Sequence, residues 1–182
     1  KIYVYLEKSK PSKFDGFIGF SNDEQGKLTF NGYLDLQLQN ILNTGEKFNL
    51  YWKNDGNSQT SFNLGTELPY VFKSTIIIKT NLLIFKQDST FQNTITYLNV
   101  DYYFSYNTKA FLGYQKTNSV DIKNANSFIL NDFTNTFLTS SFEHITFSND
   151  NFIFPEATKI NAKIGFGNRT LSSSKSKQFF GQ

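Results

Sequence analysis

His144 is the sole histidine of the chain, and Ser140, Ser141 and Asn149 stand near it in sequence. A Ser–His pair oriented by Asn or Asp is the minimum for nucleophilic hydrolysis, the chemistry of a phospholipase-type barrel. Nothing further marks such a triad, so His144 reads as a lumen or interface histidine. Asp121, Asp132 and Asp150 fall in expected loops without a calcium-loop pattern. Cysteine is absent and no His/carboxylate spacing suggests metal ligands. Gly165 and Gly167 precede no strand-to-helix unit, so strand packing explains them better than a phosphate cradle. Asp35, Gln37, Glu67 and Asp101 are expected to face a wet lumen. The expectation is a protein that is not an enzyme and needs no cofactor or metal.

The elements that position these residues are strands. From residue 27 to residue 39, Leu28, Phe30, Gly32, Leu34, Leu36 and Leu38 alternate with Thr29, Asn31, Tyr33, Asp35, Gln37 and Gln39. Period-two alternation gives one greasy and one wet face. The run exceeds the usual five or six residues of a globular strand and suits the ~10 tilted residues that cross a bilayer. The pattern recurs over residues 14–20, 48–53, 61–68, 75–86, 98–105, 110–117 and 160–167, and more weakly over 133–147. Pro69 is expected to end one strand, and residues 107–108 to form a tight turn. Residues 119–131 are long and patternless, and Ser172–Ser176 reads as a loop or disordered tail.

Composition agrees with strands. Of 182 residues 38% are hydrophobic and 18% aromatic, with 21 Phe and 10 Tyr, and such side chains pack well on a pleated surface. No stretch approaches the ~20 apolar residues of a membrane helix, and a mean hydropathy of −0.40 does not exclude a barrel, whose alternation averages out. The net charge of +3 comes with scattered lysines, loosely grouped at Lys8, Lys10 and Lys13 and at Lys175 and Lys177. No basic stripe with interleaved aromatics suggests nucleic acid, and these lysines read as solvated surface. No apolar segment before a cleavage site opens the chain, so either a signal has been removed or this is a piece of a longer polypeptide.

Two architectures carry such alternation. One is an antiparallel transmembrane β-barrel of outer-membrane type, and the other is a β-sandwich binding module whose apolar faces meet in a core. Strand length, wet faces rich in Asn, Gln, Asp, Glu and Tyr, and aromatics near strand ends (Tyr70 with Phe72, Phe104 with Tyr106, Phe152 with Phe154) favour the barrel. The barrel requires Lys79 and Lys163 on the lumen side, where the alternation puts them. It also predicts outer-membrane lipid, lipopolysaccharide or phospholipid, as a partner.

The run KFDGFIGFSNDEQGKLTFNGYLDLQLQNILNTGEKFNLYWKNDGN resembles the opening barrel strands of the BamA/TamA superfamily of outer-membrane assembly and translocation proteins, in divergent Bacteroidetes-type form. LPYVF at residues 68–72, FKQDSTF at 85–91 and IGFGNR at 164–169 add to the likeness. The resemblance implies that residues 1–12 (opening KIYVYLEK) are the end of a periplasmic POTRA-like domain and its linker, and that residues 13–182 are the N-terminal portion of a barrel. It covers only the front half of a family member. The VRGF-type lumenal motif and the closing strand with its terminal aromatic are absent, and about nine candidate strands fall short of an even, closed count. An incomplete barrel is therefore expected.

The function implied is insertion or translocation of client outer-membrane or surface proteins in the bacterial outer membrane, with envelope accessory proteins as further partners. A client strand adds to the exposed backbone of the first strand at a lateral seam. Here that edge is Phe14, Asp15, Gly16, Phe17, Ile18, Gly19 and Phe20. Gly16 and Gly19 either loosen the seam or only ease packing. A small passive pore or anchor barrel is the alternative.

Overall fold

The computed structural model describes residues 3, 5, 11–22, 26, 28–56, 59–87, 90–122, 132–147, 156–171 and 174–181. The expected POTRA-like strand, apart from Tyr3 and Tyr5, and Asn149, Asp150 and the pair Phe152 with Phe154 lie outside the described residues.

Ten strands follow in chain order: β1 Lys13–Asn22, β2 Leu28–Gln39, β3 Lys47–Asn54, β4 Gln59–Val71, β5 Ile76–Gln87, β6 Phe91–Ser105, β7 Thr108–Asp121, β8 Phe133–Phe147, β9 Glu156–Leu171 and β10 Ser174–Gly181. They form one antiparallel sheet in sequence order. Each strand touches only its neighbours. The protein is thus all-β, the sheet is open, and β1 and β10 are its edges. Among the described residues no strand packs face to face on another, so there is no sandwich. Leu34, Leu36 and Leu64, which a sandwich would seal, are only half-buried. No apolar side chain among the described residues is buried.

Pairing partners share a face, so the registers extend the alternation across the whole sheet. Phe14–Leu36–Leu50–Leu64–Leu82 is one apolar row. Asp35–Tyr51–Asn63–Leu83 lies on the opposite, polar face. Over β6 to β9 the polar face is the less exposed one: Asn99, Asp101, Gly113, Ser141 and Gly165 are buried or half-buried, whereas Leu98, Val100, Leu112, Leu138 and Ile164 are exposed. The sheet therefore curls toward its polar side there. At β3 the order reverses, with Lys47, Asn49, Tyr51 and Lys53 exposed.

The connections sort onto two rims. Residues 40–46, 72–75 and 106–107 make short turns on one rim, tipped by exposed Ile41, Leu42, Phe72 and Tyr106. The links after β1, β3, β5, β7 and β9 lie on the other. The 40–46 turn is built around Glu46, which is only 8% exposed. Its carboxylate accepts the Thr44 hydroxyl at 2.6 Å, the Thr44 amide at 3.2 Å and the Leu42 amide. Asn40 closes the turn by accepting the Gly45 amide at 2.8 Å, and Gly45 takes the positive φ of 83° that glycine tolerates.

Several boundaries differ from the alternation reading. Pro69 does not end β4. It lies between Leu68 and Val71, where the register shifts, because proline has no amide to give the ladder and is accommodated by a bulge. β7 opens at Thr108, so the tight turn is at 106–107, and it runs to Asp121 into the stretch expected to lack pattern. β6 begins at Phe91 and β9 at Glu156, well before the expected starts. Ser174–Ser176 is not a tail but the start of a tenth strand, paired to Leu171–Arg169.

Candidate functional site: a charged ladder and an open edge

Near the short-turn rim the polar face carries charges of alternating sign on seven successive strands: Lys47, Glu67, Lys79, Asp101, Lys109, Glu143 and Lys159. Lys47 Nζ lies 3.0 Å from Glu67 Oε1, and Lys79 Nζ 2.6 Å from Asp101 Oδ2. Glu143 bridges two cations, with Lys109 Nζ at 2.8 Å and Lys159 Nζ at 3.4 Å. Register explains the order. Lys47 faces Glu67, Glu67 faces Lys79 and Lys109 faces Glu143 directly, while Asp101 reaches Lys79 diagonally. Lys79, Asp101, Lys109 and Glu143 line one recess of about 270 Å³. Asp101 and Ser141 are its buried polar members, each 8% exposed.

The four residues expected on the wet side share the polar face. Glu67 and Asp101 belong to the ladder. Asp35 and Gln37 stand apart on β2, where the Gln37 amide donates to Asp35 Oδ1 at 3.3 Å. Asp35 also faces Asp15 of β1 across the ladder, and Asp15 accepts the Tyr33 hydroxyl at 2.9 Å. Alternation alone missed Lys47, Lys109, Glu143 and Lys159. Hairpin registers counted from the two short turns would have aligned them, since level along the sheet depends on pairing and not on period.

Lys79 and Lys163 both point to the polar side. Lys163 Nζ sits over the rings of Phe111 at 6.0 Å and Phe180 at 5.7 Å. Gly165 and Gly167 leave room for aromatic rings: a Cβ at either would strike Phe180 or Phe137.

The edge residues Phe14 to Phe20 pair with β2 on one side only. All are exposed except Gly19, which is half-buried. A Cβ at Gly16 would meet the Tyr33 carbonyl oxygen at 2.5 Å, so this glycine permits close β1–β2 contact.

Among the described residues Ser140, Ser141 and His144 do not come together. Ser140 lies four residues from His144 along one strand, about 13 Å, and Ser141 points to the opposite face. His144 Nδ1 instead shares a 2.7 Å hydrogen bond with Thr108 on the apolar face. Asp132 accepts the Asp121 amide at 2.7 Å. Among the described residues no group of three or more His, Cys, Asp or Glu could hold a metal.

Compared with family models, curated proteins and solved structures, the chain matches none.

Proposed function

We propose that the ten strands form the wall of a transmembrane β-barrel of outer-membrane type, with the apolar face against acyl chains and the polar face lining water. The observation that carries this reading is a single-layer sheet whose apolar face is covered by no other strand among the described residues. Strand carboxylates support it: Asp15, Asp35, Glu67, Asp101, Asp121 and Glu143 all share the polar face. On β2 the apolar side runs from Leu28 to Leu38, ten steps or about 34 Å, which a tilt of about 40° brings near the ~25 Å height of a barrel's apolar band. Exposed aromatics at the short-turn rim suit the interface.

Unpaired backbone in lipid costs several kcal/mol per group, so both open edges need partner strands. Together with the sequence resemblance, this makes β1 an acceptor for a strand of a client outer-membrane or surface protein. The function proposed is assisted insertion or translocation in the bacterial outer membrane by strand addition along Phe14–Phe20, with envelope accessory proteins as further partners.

Trp52, the one tryptophan, lies on the apolar face of β3 and tests the wall. Bromine on lipid acyl chains should quench its fluorescence, and unquenched Trp52 would end the membrane reading. Cysteines at positions 14–20 test the seam, and crosslinks to a nascent barrel during assembly are expected. Their absence would remove the client role but not the wall.

The second reading is a passive pore closed on itself. The even count of ten among the described strands favours it, as does the direction of β10, which runs antiparallel to β1. A disulfide between Ile18→Cys and Phe179→Cys within one chain, formed without any client, would select it.

A further inference from the structure

On the apolar face a straight border crosses half the sheet. Leu98, Tyr114, Leu138, Phe166 and Phe179 are paired in one row over β6 to β10. The next row toward the loop rim is wholly polar: Thr96, Lys116, Thr136, Asn168 and Lys177. The row beyond it holds Thr94, Asn118, Thr134, Thr170 and Lys175. On β5 the apolar run extends to Ile84, and Lys86 follows at once.

These four lysines are the only cations on that face of the described strands, and all are exposed. All lie beyond the border on the loop-rim side, and no strand carboxylate whose side chain is described shares their face. Of the polar-face cations, Lys47, Lys79, Lys109 and Lys159 each meet a carboxylate of the chain, and Lys163 and Arg169 lie over aromatic rings. Among the described strands this is a row of outward cations without acids, continuous with an apolar surface, and its complementary charge is sought outside the sheet.

We propose that this fringe lies at the level of anionic lipid headgroups, with Lys86, Lys116, Lys175 and Lys177 pairing with their phosphates. The inference rests on the membrane-wall reading and adds a lipid class and a side. Lys116 and Lys177 occupy one row three strands apart, about 14 Å, so they engage separate headgroups. A lysine close to an anionic surface attracts it by an amount equal to about a fivefold change in affinity, falling off within a Debye length.

Trp52 lies two strands and one row from Lys86, about 12 Å away, and reports lipid at that site. Tyr114→Trp in a Trp52→Phe background reports lipid beside Lys116. The chain is placed in phosphatidylcholine vesicles, and quenching by brominated phosphatidylglycerol is compared with quenching by brominated phosphatidylcholine. We expect about threefold or greater preference for the anionic lipid at both probes. Lys86→Gln should abolish it at Trp52, Lys116→Gln with Lys177→Gln should abolish it at position 114, and about 0.5 M salt should weaken it. Equal quenching by the two lipids in the unmodified chain overturns the headgroup assignment and leaves the wall intact. Failure of both lipids to quench overturns the wall itself.

Discussion

Lys79 Nζ and Asp101 Oδ2 meet at 2.6 Å across β5 and β6, two residues out of direct register. The Asp101 side chain is 11% exposed and the Lys79 side chain 37%. The acid is therefore the partner that suffers if the pair is broken. Four such contacts join β3 to β4, β5 to β6, β7 to β8 and β8 to β9, so the ladder ties alternate hairpins across the polar face.

Lys79→Met should destabilise the sheet by about 1–3 kcal/mol, because it strands a nearly buried carboxylate. Lys79→Met combined with Asp101→Leu should recover most of that loss. The check is the urea midpoint of the folded chain by circular dichroism. A single variant with an unshifted midpoint would class this pair with exposed ion pairs that contribute almost nothing.

The 40–46 turn should open in acid. The Thr44 hydroxyl and the Leu42 amide, both donating to Glu46, hold its carboxyl down at about 2 from an ordinary value of 4.5. A depressed acid stabilises fully above its unfolded value and loses that contribution as pH falls through the folded one. Protection of the Leu42 and Thr44 amides against hydrogen exchange should therefore decline between about pH 5 and about pH 2. Glu46→Gln should start less protected and show no such decline.

How far the sequence could be read depends on which faces meet water. The β2 alternation was legible because one side of that strand is apolar, whereas Phe133–Phe147 read more weakly because Thr134, Thr136, Ser140 and His144 interrupt its apolar-side row. The ends of β6, β7, β9 and β10 near the loop rim were not: Gln92–Asn93–Thr94, Thr117–Asn118–Ser119 and Ser174–Lys175–Ser176 are polar on both faces, so period two vanishes while the backbone ladder continues. The border row explains where legibility stops. Asp35, Gln37, Glu67 and Asp101 were assignable to one face from parity alone. The ladder that joins two of them to Lys47, Lys109, Glu143 and Lys159 was not, because neighbours across strands are set by turn length and bulges.

Gly113 is a site where an added side chain forces its polar-face neighbours to move. A Cβ there would lie 2.5 Å from Asn99 Oδ1 and 2.6 Å from Thr139 Oγ1. Thr139 Oγ1 also donates to the Gly113 carbonyl at 3.3 Å. Gly113→Val should cost about 1–3 kcal/mol by overpacking. Adding Asn99→Gly should restore part of it, since that change vacates one of the two contacts. Denaturation midpoints of the two variants give the comparison.

The strongest discrimination between water and lipid outside the sheet comes from lysine placed on either side of the border. Leu112 is 60% exposed on β7, one row inside it, and Asn118 lies two rows beyond it on the same face. In water, charge at so exposed a position changes stability by no more than about 0.5 kcal/mol. In a bilayer, Lys on the lipid face costs about 2–4 kcal/mol near the midplane and about 0–1 near the interface. Leu112→Lys should therefore destabilise the chain folded in vesicles by about 2 kcal/mol or more, while Asn118→Lys leaves it within about 1 kcal/mol. Both are read from reversible unfolding in urea. Equal, small effects at the two positions would mean that Leu112 faces water, and the assignment of the apolar face to hydrocarbon would fall with it.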